Sequence, residues 1–406
     1  MARLMVGASP LLRRVRIPGE VAAICLVIVL ADIVAGVVIP TFPLHARQLG
    51  IDLQTIGVLN GIGGLVGLFL ALPIGVLSDR VGRRWVIIGG MVVFALALLC
   101  FAGARGVALL VLGRVLFGIA GVATFQIGAA HLGDVTAPGQ RSMAFGLYAT
   151  AMGFGFTVGP IVGGQLAQRG GTASAYLAGV GFALAGCALA VWLLPRPPAR
   201  GGRSAARSLG GILAMVRRSD LALASLGNLL MSWTFNGAIS TFFPLYGDAL
   251  GLSAATIGGF FAIRALVSAL GRLPNGLIAR RLGNRAVMLT ALGVNTLAML
   301  ALSRTAQPGL MVALLICEGL AFGAYLVSGQ TFIADQTTAE NRGTAVGLYA
   351  MAGSIGATAA PAGLGVVADR WGLAATFGST GVLLAVGVLV IGAGMLRFKF
   401  VPQRER

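Results

Sequence analysis

An all-α membrane protein, with twelve transmembrane helices in two pseudo-symmetric six-helix bundles, is the fold class the sequence predicts. Three observations predict it. The 406 residues are 57% hydrophobic and only 10% charged, with a mean hydropathy of +0.92; a soluble domain keeps about a quarter of its residues charged. The apolar residues fall into twelve runs, most of them close to the ~20 residues a helix needs to cross a bilayer. The last six runs repeat the first six at a fixed spacing.

The runs are 20–43, 55–77, 85–103, 107–130, 142–168, 173–195, 221–245, 255–279, 286–303, 308–333, 343–368 and 374–396. Most connections between them are very short, so sequential helices are antiparallel neighbours. The longest, Arg196 to Asp220, carries Pro197, Pro198, Gly201, Gly202 and six arginines. That composition reads as an irregular, solvated tether. It divides the chain into an N-terminal bundle (1–195), a linker (196–220) and a C-terminal bundle (221–406).

The repeat is explicit. Phe42-Pro43-Leu44 recurs as Phe243-Pro244-Leu245, and Thr55-Ile56-Gly57 as Thr256-Ile257-Gly258. Arg141 and Gly146-Leu147-Tyr148-Ala149 recur as Arg342 and Gly347-Leu348-Tyr349-Ala350, Asp134 as Asp335, and Pro160 as Pro361. Every pair is separated by 201 residues. A constant offset across six spans implies two bundles of the same topology, related by an axis along the membrane normal. Transporters built from such repeats bind substrate between them, near mid-membrane.

The net charge of +18 raises the possibility of a nucleic-acid partner, but its distribution argues against one. The basic residues sit in short loops between apolar runs, where they set topology. One side holds Arg3, Arg13, Arg14, Arg16, Arg80, Arg83, Arg84, Arg141, the linker's arginines, Arg280, Arg281, Arg285, Arg342 and the C-terminal cluster; the other holds Arg47, Arg105, Arg169, Arg304 and Arg370. The richer side is expected to be cytoplasmic. Both termini and the linker then lie inside the cell, in a multi-pass inner-membrane protein. The first 19 residues show no apolar region with a small-residue cleavage site and read as a cytoplasmic tail.

Cys25, Cys100, Cys187 and Cys317 lie far apart within apolar runs, with neither disulfide nor metal-site spacing. The two histidines, His45 and His131, lie near loops without metal-ligand spacing. No phosphate-binding loop follows a strand. An enzyme and an ATP-driven pump are therefore disfavoured, and no cofactor is implied.

Between the second and third runs lies Gly75-Val-Leu-Ser-Asp79-Arg80-Val-Gly82-Arg83-Arg84. The glycines permit close approach and a sharp turn; three arginines and an aspartate form an ionic cluster at a membrane face. The spacing resembles the loop between spans 2 and 3 of the major facilitator superfamily of secondary transporters. That resemblance implies a gating loop that latches the two halves together on the cytoplasmic side. In the second half Asp79 is replaced by Arg280, so the latch is expected to be asymmetric.

Asp32, Arg114, Arg264, Arg272 and Glu318 lie inside apolar runs. A charge at the bilayer centre costs roughly 3 kcal/mol or more, so each needs a partner, water or a function. At 1.5 Å per residue, Asp32 and Arg114 reach similar depth, and Glu318 is near the midplane with Arg264 as a candidate partner. Arg272, near the end of its run, can snorkel. Arg114 heads Arg114-Val-Leu-Phe-Gly118-Ile-Ala-Gly121, which is similar to the span-4 motif of proton-coupled facilitators, whose arginine is implicated in proton transfer. The match is partial, Phe117 standing where a polar residue is common. Two readings remain for Asp32 and Arg114: proton coupling, with Glu318 as second or rival carrier, or a static buried ion pair.

The fifth run contains Gly155-Phe-Thr-Val-Gly159-Pro160-Ile-Val-Gly163-Gly164. It offers a flat glycine face and a proline that removes one helix hydrogen bond. It resembles in full the antiporter motif of the twelve-span drug/proton antiporters of the superfamily, a motif that uniporters and symporters usually lack. The resemblance covers essentially the whole chain and implies that runs 1, 4, 7 and 10 line a cavity. They would present Asp32, Arg114, Asn228, Trp233, Asn236, Glu318, Phe322 and Tyr325, with Arg264 beside them. Aromatic and apolar walls with few charges suit an amphiphilic organic substrate. The expected function is a proton-coupled antiporter that exports small amphiphilic molecules or drugs by alternating access, working as a monomer in the bilayer. The alternative is a facilitator or symporter for a sugar or other small metabolite.

Overall fold

The computed structural model describes residues 19–194, 218–338 and 341–397. Hydrocarbon offers no water to exposed amides, so a spanning chain must satisfy its backbone within each segment. The described residues accordingly form helices throughout. These are α1 (Gly19–Gln48), α2 (Leu53–Val81), α3 (Arg83–Ala102) and α4 (Val107–Val135). After a helical stretch from Arg141 to Leu193 come α7 (219–249), α8 (Ala254–Leu282), α9 (Asn284–Leu302), α10 (Pro308–Asp335), α11 (Arg342–Trp371) and α12 (Leu373–Arg397).

The stretch Arg141–Leu193 is 53 residues long, about 80 Å at 1.5 Å per residue, far more than a bilayer holds. It reverses at Gly171, whose φ of 77° and ψ of 168° only glycine adopts readily. The Ser174 hydroxyl lies 2.7 Å from the carbonyls of both Leu166 and Gly171 and bridges the turn. The reversal yields α5 (141–170) and α6 (172–193). Twelve spans therefore stand among the described residues, as the hydropathy pattern predicts. Most of the expected linker lies outside the described residues; α7 already begins at Ser219, with Arg218 bridging to Asp220 at 2.5 Å.

The charged turn after Gly75 is shorter than the sequence suggests. Asp79 and Arg80 belong to the last turn of α2, Arg83 opens α3, and only Gly82 is non-helical, at φ 93°. Extending both helices leaves few backbone groups unpaired, and the one remaining position needs a glycine.

The internal repeat is visible in the backbone. The positive-φ residues among those described are Gly50 and Gly251, Gly82 and Gly283, and Gly171 and Gly372, three pairs at the same 201-residue offset. Asp52 caps α2 by accepting from Thr55 N–H, as Ser253 caps α8 by accepting from Thr256 N–H.

Small residues set how the helices meet. Gly155, Gly159 and Gly163 press α5 onto α1: a Cβ at Gly155 would stand 2.7 Å from the Cβ of Asp32, and one at Gly159 2.7 Å from the Cα of Gly36. The halves meet along α2–α11 and α5–α8. A Cβ at Gly61 would come within 2.6 Å of the Thr358 carbonyl, and one at Gly164 within 2.5 Å of the Ala254 carbonyl. These contacts lie towards the end that carries the Gly50 and Gly251 turns. Towards the other end the same helices part, and a Cβ at Gly75, Gly146, Gly276 or Gly347 would meet nothing within 4 Å. The molecule is closed at the Gly50 end and parted at the Asp79 end.

Gly171→Ala should destabilise the protein by about 1–3 kcal/mol through backbone strain, because open space surrounds the position and no clash contributes. Gly181→Ala, equally uncrowded and mid-helix, is the control. Thermal unfolding of purified protein in detergent should show a lowered midpoint for the first and none for the second; equal midpoints would contradict the assignment of strain to Gly171.

Candidate functional site

Two cavities lie between the halves. The first, about 330 Å³, is lined by Asp32 of α1 and Met152 and Phe156 of α5, facing Phe235 of α7, Arg264, Ser268 and Arg272 of α8, and Phe322 of α10. The second, about 430 Å³, lies nearer the closed end and is lined by Asn60, Arg114, Phe117, Gln126, Asn236 and Ser240, among others. Phe156 and Phe235 line both. Their ring centroids stand 6.0 Å apart, and Phe235 stacks in turn on Phe322 at 5.3 Å, so an aromatic partition separates the cavities.

The backbone is irregular where it meets these cavities. Trp233–Phe242 in α7 and Val122–Gln126 in α4 are wound as π-helix. Such segments concentrate at functional sites, because the wider turn re-aims side chains. They carry Phe235, Asn236 and Ser240 on α7 and Gln126 on α4. Asn60 of α2 donates to the Thr241 hydroxyl at 2.9 Å and bridges the halves there.

One buried ion pair anchors the second half. Arg264 donates through Nε and Nη2 to the two oxygens of Glu318, the latter at 2.7 Å. Both side chains are essentially sealed from solvent. The guanidinium also lies 4.4 Å from the Phe235 ring centroid and 5.1 Å from that of Phe322. A bidentate pair with aromatic faces compensates buried charge well. Sequence spacing made Arg264 the candidate partner of Glu318, and the structure brings them together.

Asp32 and Arg114 are not paired; this departs from the ion-pair reading of the sequence. They look into different cavities. The Arg114 guanidinium stands 3.7 Å from the Phe42 ring centroid, and its Nε is buried without a hydrogen-bond partner. Guanidinium is weakly hydrated and stacks readily on aromatic rings, so Phe42 offers Arg114 a seat on α1 away from Asp32. Asp32 is 4% exposed, and its Oδ2 has no partner. It faces Arg264 and Arg272 across the first cavity. Arg272, half-buried near the end of α8, lines that cavity with its Nε buried and unpartnered.

The remaining sequence candidates divide. Asn236 lines the second cavity and Phe322 the first. Asn228, Trp233 and Tyr325 line neither. Asn228 donates to the Tyr349 carbonyl at 2.8 Å and borders a separate pocket with Gln330 and Ser354. Trp233 packs on α11 at Gly363, 3.4 Å from where a Cβ would stand. Tyr325 is buried and donates to the Ala224 carbonyl at 3.0 Å. These three pack helices together: Asn228 and Tyr325 each end on a backbone carbonyl, and the Trp233 ring fills the space over a glycine, its Nε1 unpartnered. Sequence reasoning missed Phe156, Phe235, Ser268 and Arg272 as cavity residues. The α8 pair had a signal: 264, 268 and 272 are spaced by four and share a helix face.

At the parted end, Arg83 Nε lies 3.0 Å from Asp134 Oδ2 of α4 and Arg83 Nη2 lies 3.8 Å from Asp79 Oδ1. Arg84 donates to the Val191 carbonyl. Among the described residues, in this parted state, the contacts of the cluster tie α2, α3, α4 and α6 within the first half. The halves stand apart at that end, beyond its reach. In the second half the same place is held by Asn284 donating to Asp335 at 3.2 Å, the repeat of Arg83–Asp134 with the positive charge removed.

A helical membrane protein with paired halves and a charged cavity between them belongs to the class of polytopic carriers, and comparison with known proteins gives the family. The model of the Major Facilitator Superfamily matches residues 24–263 and 221–405; the chain belongs to that superfamily. It is a transporter, not an enzyme. The class G tetracycline resistance protein of Vibrio anguillarum is 27% identical over 363 residues, 84% of this chain and 88% of that protein. The inner membrane transport protein YajR of Escherichia coli is 30% identical over 159 residues, 39% of this chain and 35% of its own length. The quinolone resistance protein NorA of Staphylococcus aureus is 27% identical over 144 residues, 36% of this chain and 37% of its own. Among solved structures, a bacterial homologue of the human lysosomal transporter Spinster, inward-facing and occupied, has the same fold (TM-score 0.80, 17% identity, 93% of this chain and 96% of that one). The nucleoside transporter NupG follows at TM-score 0.77 and 16% identity, over 94% and 100% of the two chains.

Truncating one member of the buried pair should cost more than removing both. Glu318→Leu strands the Arg264 cation, a loss of about 3–5 kcal/mol. Arg264→Met combined with Glu318→Leu should recover most of it. The check is a thermal-unfolding double-mutant cycle; additive losses would show that the pair carries no coupling.

Proposed function

We propose that this transporter is a proton-coupled antiporter that exports small amphiphilic organic molecules by alternating access. The observation that carries the reading is Asp32: a carboxylate 4% exposed, without a counter-ion, on the wall of an aromatic cavity between the halves. A buried carboxylate without a partner gains or loses a proton as water and charge around it change. Glu318 is the poorer carrier, because both of its oxygens are engaged by Arg264. The complete glycine–proline motif of α5, the antiporter pattern, supports exchange. Relatives named as tetracycline and quinolone resistance proteins support a drug-like organic substrate.

The arginine asymmetry supports cytoplasmic termini and a cytoplasmic linker between bundles 1–195 and 221–406. With that orientation the parted end faces inward, and the described state is inward-open, sealed outside by the Gly61–Thr358 and Gly164–Ala254 seams. Pro160 and Gly164 of the α5 motif belong to that outer seal. A proton entering from outside would neutralise Asp32 and release a substrate held there; a substrate from inside would displace the proton.

Two measurements test this reading. A cysteine replacing exposed Gln140 in the α4–α5 turn should resist an impermeant thiol reagent applied to intact cells, and one replacing exposed Arg105 in the α3–α4 turn should react. The reverse pattern overturns the orientation. In proteoliposomes, Asp32→Asn should reduce proton-gradient-driven movement of an amphiphilic substrate by at least about a hundredfold while the protein keeps its thermal midpoint, since the step has lost its only proton acceptor in the cavity. Concentrative transport by Asp32→Asn would move coupling elsewhere.

A further inference from the structure

The first cavity is lined by two opposite charges that have no ion-pair partner among the described residues. On one wall is Asp32, 4% exposed, its Oδ2 unpartnered. On the other is Arg272, its Nε buried and unpartnered. Arg264, two turns before Arg272 on α8, is already spent on Glu318 and stacked over Phe235 and Phe322. It is part of the wall and not a free anion site. One turn from each arginine, Ser268 lines the same cavity at 3% exposure, its hydroxyl unpartnered beside Gly323 of α10. Phe156, Phe235 and Phe322 supply the remaining surface.

Deepening the antiport reading, on which it rests, we infer that the cavity selects zwitterionic aromatic amphiphiles, with the cationic centre on Asp32 and the acidic group on Arg272 and Ser268. The reasoning is electrostatic. A buried charge is tolerated only when paired. A purely cationic ligand satisfies Asp32 and leaves Arg272 unpaired beside a second positive charge. A purely anionic ligand satisfies Arg272 and meets the Asp32 carboxylate. A molecule with both charges, joined by an aromatic body that fits between the phenylalanine rings, satisfies both.

The placement also fixes the sign of coupling. The ligand's cation and the proton neutralise the same carboxylate, so they exclude one another, as exchange requires. An acid held by Arg272 alone would sit best beside a protonated Asp32 and would favour co-transport. The groups facing Asp32 from the surrounding helices are consistent with this assignment: Tyr148 on α5, and Arg264 and Arg272 on α8, with Glu318 behind Arg264. Asp32 is the one carboxylate that lines the cavity.

The test uses three ligands of matched shape: an arylpiperazine carboxylic acid, zwitterionic at pH 7; its methyl ester, only cationic; and its N-acetyl derivative, only anionic. Binding to the purified full-length protein in detergent is measured without a gradient, and each result is a ratio within one variant, so partial misfolding cancels. The wild type should bind the zwitterion about tenfold or more tighter than either analogue, the scale of one lost hydrogen bond to a charged group. Arg272→Gln should bring the zwitterion-to-ester ratio to about one, and Arg272→Lys should restore part of it. Asp32→Asn should level the zwitterion-to-N-acetyl ratio. The inference is overturned if the wild type prefers the ester or the N-acetyl compound, binds none of the three, or if Arg272→Gln leaves the ratio unchanged. Proton-driven uptake of the zwitterion is scored separately in proteoliposomes. Preference without uptake removes the antiport reading and leaves the ligand class standing; uptake without preference does the reverse.

Discussion

Hydrocarbon cannot solvate a charge, and the arrangement of this protein's interior follows from how each buried charge is answered. A membrane-embedded ion must find a partner, an aromatic face or a water-filled space. All three answers occur within one bundle interface. Arg264 and Glu318 answer one another with two charge-assisted hydrogen bonds and two phenylalanine faces. Arg114 takes the Phe42 ring. Asp32 and Arg272 have only the cavity. The first two solutions are static and the third is conditional, because it changes with whatever occupies the space.

The backbone repeats, and the charges do not. Turns, caps and glycine contacts recur at an offset of 201, down to Gly118 against the Gly63 carbonyl and Gly319 against that of Arg264. Yet the counterparts of Asp32 and Arg114 are Trp233 and Leu315, and those of Arg264, Arg272 and Glu318 are Gly63, Ala71 and Phe117. The repeat thus specifies a scaffold able to rock about its own pseudo-axis, while function is written on it once. Even the turn clusters follow this rule, since Arg83–Asp134 becomes Asn284–Asp335. With side chains a quarter to two-fifths exposed, the Arg83 cluster contributes ~0–1 kcal/mol. A tie that weak suits a part that must rearrange.

The fold was legible in the sequence because hydropathy and repetition are properties of the chain alone. Twelve runs, the break between runs five and six, and the 201-residue offset need no knowledge of packing. The buried pair Arg264–Glu318 was legible too, since neither charge could remain alone at that depth. Side-chain direction was not. Whether Tyr325 fills the cavity or a gap over Gly227, and whether Arg114 turns to Asp32 or to Phe42, depends on helix rotation and on π-wound turns that re-aim a few side chains. These are differences of about 100° per residue, which a run of apolar residues does not encode. Phe156 and Phe235 escaped notice for the same reason: as lone aromatics in apolar runs, they look like packing until two helices bring them 6.0 Å apart.

The two ends of the molecule close by different physics, and the difference bears on how the cycle is driven. The Gly50 end is sealed by glycine on backbone, along α2–α11 and α5–α8, without charge. Such contacts rest on dispersion, each small and all dependent on close fit, so they form or fail together. At the Asp79 end the ion pairs among the described residues are each held within one half, and no comparable glycine-on-backbone contact joins the halves there. Closing that end would bring the basic faces of α2–α3 and α8–α9 together, Arg80 and Arg84 towards Arg280 and Arg281, with Asp79 the only carboxylate in the two turns. Repulsion therefore resists closure at one end while shape complementarity favours it at the other. On the proposed reading, the balance is tipped by neutralising charge in the cavity between them. A ligand or proton on Asp32 removes the need to keep that carboxylate in a space open to water, and the buried site is then free to change the side on which it opens.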